Sequence, residues 1–197
     1  MKVITAVESY EKKEKEIAVF LAGGITNCPP WQDEVIKGLK HYDDIFKSGA
    51  ELVVYNPRRK NFDVTNPNAT MDQILWEFNH LKEMDVFSMY FCAGDSDQPI
   101  CMYELGRHLS EMQHRFPDTW HKRIQITVEK DYKREKDVYI QTMLATGLYE
   151  NEIGDILTIA ESDTDEANQA AYKEHANAIY TKYLNSIVPA RLLNKLT

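Results

Sequence analysis

EKKEKEIAVFLAGGITNCPPWQDEV, residues 11–35, is the stretch whose reading decides the fold. Six charged residues lead into an unbroken apolar run, IAVFLA (17–22), which stops at Gly23-Gly24. A run without polar alternation is a strand buried on both faces, as in a parallel sheet covered by helices. Pro29-Pro30 then open WQDEVIKGLKHYDDIF (31–46), in which Trp31, Val35, Ile36, Leu39, Tyr42 and Phe46 recur at helical spacing.

The same alternation extends down the chain. ELVVYN (51–56) is a second strand closed by Pro57, and PRRKNFDVTNPNAT (57–70) is a loop. Thr70 or Asp72 is expected to cap the next helix, with Met71, Ile74, Leu75, Phe78 and Leu81 as its core stripe. VFSMYFC (86–92) is a third strand, 93–97 a turn, and QPICMYELGRHL (98–109) a helix beginning near Pro99. RIQITV (123–128) follows, then a helix over 136–147 stopped by Gly147, and an edge strand DILTIA (155–160). From Asp163 to Asn185 the chain is helical, with Tyr172, Ala176, Ile179, Tyr183 and Ile187 on one face. Alternating strands and helices predict a three-layer α/β sandwich around a five-stranded parallel sheet over residues 1–160, with a C-terminal helical extension over 161–197. Ligands of such sheets sit beyond the carboxyl ends of the strands. Segments 23–30, 57–70 and 93–99 lie there.

The formal net charge of −8 argues against nucleic-acid or anionic-membrane partners, yet allows a small phosphorylated ligand at one local anion site. Three cysteines without a CxxC pair, and no run of membrane-spanning length, fit a reducing cytoplasm.

Two carboxylates stand out. Glu104 lies near the start of its helix, where the dipole favours an ionised anion, the form a nucleophile must take. Glu77 is about 100° from the centre of its helix's apolar stripe and borders the core. Such a pair suits glycosidic cleavage, in which one carboxylate attacks the anomeric carbon and a second group handles the leaving group's proton. The plainer role for each is a solvated or dipole-facing glutamate. Gly23-Gly24 lets backbone approach a ligand or makes a tight turn. Arg58-Arg59 grips a phosphate or carboxylate, or is a solvated pair. Asp95 and Asp97 accept from sugar hydroxyls or cap a turn or helix. Glu104 and His108 are one helical turn apart, but no second cluster completes a metal site, so no metal and no cofactor are expected. Cys92 and Cys101 read as structural.

FLAGGIT (20–26), YNPRR (55–59), QILWEFNHLKEMDVFSMYF (73–91) and PICMYELG (99–106) occur in that order. Together they resemble the nucleoside 2-deoxyribosyltransferase superfamily, most closely its transferase-like branch, and DYKREKDV (131–138) is similar to a further segment of that branch. The resemblance covers roughly residues 17–145. It implies a flavodoxin-like fold and cleavage, with possible transfer, at the N-glycosidic bond of a nucleoside or nucleotide. Glu104 of the ELG motif would be the nucleophile, through a covalent ribosyl-enzyme, and Glu77 the acid/base, where better-known relatives carry Asp. It further implies substrate binding by Gly23, Gly24, Thr26, Arg58, Asp97 and Gln98, and a homo-oligomer. Two positions depart from the pattern. Gly24 stands where nucleotide hydrolases have serine, and Gln98 where relatives have Asp or Ser. Those departures, together with Glu77 in place of Asp, motivate a second reading, a catalytically inactive nucleotide-binding or sequestering protein. Arg58-Arg59 motivate a third, a sugar-phosphate enzyme.

Overall fold

The computed structural model describes residues 1–46, 50–62 and 65–193, with side chains as far as Ser186. Strands β1 (Lys2–Thr5), β2 (Glu16–Gly23), β3 (Glu51–Asn56), β4 (Val86–Phe91), β5 (Ile124–Glu129) and β6 (Leu157–Ala160) pair in parallel, in the order β1-β3-β2-β4-β5-β6. Helices α1 (Trp31–Phe46), α2 (Ala69–Glu83), α3 (Pro99–Arg115), α4 (Glu135–Thr146) and α5 (Asp165–Leu193) cover the two faces. The order from β3 to β6 is the doubly wound, flavodoxin-like one, and its switch point falls between β2 and β4.

The sheet has six strands rather than the expected five. The additional one is β1, in the first residues of the chain. It spans four residues, pairs only with β3 and buries one side chain, Ile4. So short a segment carries no periodicity for a sequence to display.

β1 also explains a second correction. Most of the expected core stripe of α2 faces outward: Met71, Ile74, Leu75 and Phe78 are exposed, while Leu81 is buried as expected, together with Ala69, Trp76 and His80. Trp76 packs with Ile4, Ala6, Phe20 and Tyr55, and its indole N–H donates to the Glu8 carbonyl at 2.9 Å. The segment that leads out of β1 thus supplies half of the surface that selects this face. The helix starts at Ala69 after Asn68, ahead of the expected Thr70 or Asp72 cap. The end of α4 follows expectation, with Gly147 in the left-handed region at φ 69°.

One face of the sheet packs against α2, α3 and α4, the other against α1 and α5. Tyr172, Ala176, Ile179 and Tyr183 of α5 are buried there, while Ile187 lies outside the described side chains. His175 anchors this helix to the sheet. Its Nε2 meets the Ser88 hydroxyl and its Nδ1 the Thr127 hydroxyl, each at 2.8 Å, in full burial. Burial pushes its pKa down to about 3, so the ring stays neutral where an unfolded histidine charges near 6.5.

A depressed folded pKa means that this stability is complete above pH 6.5 and is lost as pH falls toward 3. One proton sets a slope of about 1.4 kcal/mol per pH unit across that window. Urea titrations of wild type and His175→Gln from pH 7.5 to 4 should show the variant with the shallower acid loss. At neutral pH it should be less stable by about 1–3 kcal/mol, because two buried hydroxyls lose their partner.

Candidate active site

At the carboxyl ends of β2 and β4 lies a cavity of about 220 Å³. Its wall comes from β2 and the turn after it (Phe20, Ala22, Gly23, Gly24, Ile25, Thr26), Pro57, Glu77 of α2, Ser96 and Gln98 of the β4–α3 loop, and Pro99, Ile100, Cys101 and Glu104 of α3. None of these is a lysine, arginine or histidine. The only formally charged side chains facing the cavity, among the described residues, are the two carboxyls.

Glu104 is on the second turn of α3, at the edge of the face that buries Cys101, Leu105, His108, Leu109 and Met112. Burial, helped by the charge of Glu77, pushes its pKa up to about 7, with Arg107 pulling only weakly the other way. The expectation that the helix dipole would keep it ionised is therefore reversed. A dipole is worth about 0.3–1 kcal/mol at an exposed end, and desolvation beside a second carboxylate outweighs it. Glu77 is also raised by burial, but Gln73 donates to its Oε1 at 2.6 Å and Arg59 lends positive charge. The Gln73 bond and the Arg59 charge thus oppose the rise at Glu77, while at Glu104 only Arg107 does.

The turn after β2 is held from below. Arg58 Nε donates to Gln32 Oε1 at 2.7 Å, and Nη2 lies 2.9–3.3 Å from the carbonyls of Gly24, Ile25, Cys28 and Pro29. The Trp31 indole N–H donates to the Gly24 carbonyl as well, at 2.9 Å. Arg58 therefore braces the cavity wall and does not line it. Gly23, at φ 147°, brings the end of β2 so close to β4 that a Cβ would sit 2.3 Å from the Tyr90 carbonyl oxygen.

Gly24 and Gln98 form one packing unit. The buried Gln98 amide donates to the Cys92 carbonyl at 2.8 Å and accepts from the Cys92 N–H at 3.3 Å, with the backbone of Gln98 in the left-handed region at φ 46°. A Cβ on Gly24 would meet Cys28 Sγ at 2.3 Å and Gln98 Oε1 at 2.5 Å. The two departures from the family pattern thus have a joint cause: the glutamine side chain occupies space that a side chain at 24 would need.

The β4–α3 loop is clasped from the far side by the segment after β5. The Tyr132 hydroxyl donates to the Asp97 carbonyl at 2.8 Å, and Lys133 reaches the Asp95 carbonyl at 2.9 Å and the Asp97 carboxylate at 2.9 Å. Buried Glu129 accepts from the Ala93 N–H at 2.6 Å and from the Tyr90 hydroxyl at 2.9 Å. Asp97 itself is exposed and turned to the rim, and Gln98, not Asp97, occupies the cap position of α3.

Of the residues singled out in the sequence, the structure brings Glu104, Glu77, Gly23, Gly24, Thr26 and Gln98 to one cavity and leaves Arg58 and Asp97 outside it. Ser96 and Gln73 escaped notice. Gln73 had a signal, since a glutamine one helical turn before a glutamate is placed to bond it. Among the described residues no group of three metal-ligating side chains gathers.

A profile described as "nucleoside 2-deoxyribosyltransferase like" matches residues 16–116, which contain every residue of the cavity wall. The chain belongs to the nucleoside 2-deoxyribosyltransferase-like family. The Tyr132–Lys133 clasp lies beyond the part that carries the family match. Among solved structures, a diflavin flavoprotein A3 from Nostoc sp. aligns over 91% of this chain and 99% of that one at 10% identity, with a TM-score of 0.41. No curated protein matches the chain. For this transferase-like protein, Gly24→Ser should cost about 1–3 kcal/mol by overpacking, measured by urea denaturation. Shortening the clashing partner in Gly24→Ser/Gln98→Ser should return part of that loss, as a non-additive double-mutant cycle.

Proposed function

We propose that this protein cleaves the N-glycosidic bond of an unphosphorylated nucleoside and passes the sugar to a second base or to water. Glu104 is the nucleophile and Glu77 the acid/base. The observation that supports this most is the pair of carboxyls facing one apolar cavity, both raised by burial, Glu104 to about 7.

The reaction needs Glu104 ionised and the proton on Glu77. A base that accepts a hydrogen bond from protonated Glu77, with its C1′ above Glu104, favours that arrangement. As the C1′–N bond breaks, its electron pair goes to the base, which takes the proton of Glu77. The anionic Glu104 stabilises the oxocarbenium-like sugar and then bonds to C1′. Glu77, now ionised, activates the incoming base or water.

The absence of a cationic side chain from the wall, among the described residues, favours nucleosides over their phosphates. A phosphate would carry its charge into a site already holding a carboxylate. The binding-protein reading loses two of its three motives, since Gly24 and Gln98 are explained by packing against each other.

Chromatographic assay of base release from a nucleoside panel, with and without acceptor base, tests the reading. Glu104→Gln should lower turnover by about a thousandfold or more while the protein stays folded. A 5′-monophosphate should react at least about a hundredfold more slowly than its nucleoside. Base release by Glu104→Gln at the wild-type rate would refute the assignment. The pH profile of kcat/KM should be bell-shaped. At low pH both carboxyls are protonated and neither can attack. Above about 7 Glu104 ionises as well, and no proton remains for the base.

A further inference from the structure

We propose that Gln73 is a positioning residue: its amide, pinned by the Pro57 carbonyl, holds Glu77 so that Oε2 is the oxygen that hands its proton to the departing base. This rests on the reading of Glu77 as the acid/base. Gln73 and Glu77 are one turn apart on α2, and Pro57, which follows the last residue of β3, is part of the cavity wall. Gln73 Nε2 donates to the Pro57 carbonyl at 2.8 Å and to Glu77 Oε1 at 2.6 Å.

Donor and acceptor chemistry fixes the sense of both bonds. A backbone carbonyl only accepts, so the nitrogen end of the amide must face Pro57. Turned over, the amide would set oxygen against oxygen. An amide nitrogen carries two hydrogens; one goes to Pro57, the other to Glu77, and none is left over. The amide oxygen of Gln73 is buried and has no hydrogen-bond partner among the described residues. Leaving an acceptor unpaired costs stability, so the side chain is held by its nitrogen alone.

The consequence falls on Glu77. Its Oε1 already accepts a hydrogen, and the carbonyl oxygen of a carboxylic acid accepts better than the hydroxyl oxygen. The proton therefore settles on Oε2. A glutamate has one more side-chain torsion to fix than an aspartate, and the Gln73 bond fixes the last of them. As the C1′–N bond breaks, its electron pair goes to the base. The base nitrogen takes the Oε2 proton, and the electron pair of that O–H bond stays on the carboxyl. The Gln73 bond strengthens as this charge develops. The groups that act on Glu77 come from three elements. Burial raises it, while Gln73 on α2 and Arg59 on the loop after β3 pull it back. From α3 comes Glu104, itself raised by burial and by the charge of Glu77.

Gln73→Met keeps the length and removes both N–H groups. Base release by the full chain is followed for a nucleoside that the wild type turns over. It is followed also for an analogue whose base leaves with less need of a proton, an N7-methylated purine or a 5-fluorinated pyrimidine. For the ordinary nucleoside kcat should fall about tenfold or more with KM little changed, and for the analogue less than about threefold. The alkaline limb of kcat/KM should move up by about one pH unit, because a carboxylate without its donor gives up the proton later. Gln73→Leu should show the same pattern and serves where Gln73→Met does not fold. Equal losses on both substrates, with the alkaline limb unmoved, would overturn the inference and leave Gln73 a brace of the wall. A carboxyl ¹³C titration of glutamate-labelled protein, with the Glu77 signal assigned through Glu77→Gln, separates this inference from the functional reading. Glu77 should ionise at higher pH in Gln73→Met, and an unmoved midpoint would overturn the hold on Glu77. If the wild type releases no base while that midpoint moves, the functional reading and the proton delivery fail together, and the hold of Gln73 on Glu77 stands.

Discussion

Two carboxyls face one small apolar cavity with no cation among its walls, and that arrangement governs the chemistry available to the site. Water at this position would screen the two charges to a fraction of a kcal/mol; a desolvated pocket strengthens their interaction several-fold. Burial raises both carboxyls, Glu104 to about 7. A site holding one ionised and one protonated carboxyl is prepared for displacement at a sugar carbon with protonation of the leaving group, and no further group is needed for either task. The asymmetry within the pair is set by neighbours. Glu77 has Gln73 and the charge of Arg59; Glu104 has only the weak pull of Arg107.

The framework around the pair is rigid because backbone is bonded from several directions. Arg58 and Trp31 fix the turn after β2 from beneath. Gln98 fixes the end of β4, while Tyr132, Lys133 and Glu129 clasp the loop that leads into α3. The arginine expected to face a ligand is engaged in construction instead. An arginine next to several carbonyls gains several charge-assisted bonds at once, and a tight turn of two glycines and two prolines gathers such carbonyls.

Much of this was legible in the sequence. IAVFLA and VFSMYF announce themselves as doubly buried strands, the ends of those strands locate the cleft, and the resemblance of QILWEFNHLKEMD and PICMYELG to the family's segments implies that Glu77 and Glu104 face it. What stayed hidden depends on long-range contacts. β1 is too short to display a period, and without it the burial of Trp76 on α2 has no visible cause, so the sequence favours an equally apolar stripe. The ionisation of Glu104 is hidden for a related reason: helix position is a local property, whereas desolvation by a helix and loop distant in sequence is not. Gly24 and Gln98, separated by most of two βα units, are intelligible only once their atoms are seen to share a volume.

The most direct test is to mix the protein with a reactive nucleoside, quench with acid within a turnover, and map the peptides by mass spectrometry. The account predicts a sugar mass, without the base, on the peptide containing Glu104, and none in Glu104→Gln. A sugar attached at another residue, or base release continuing with no sugar ever found on the chain, would contradict it.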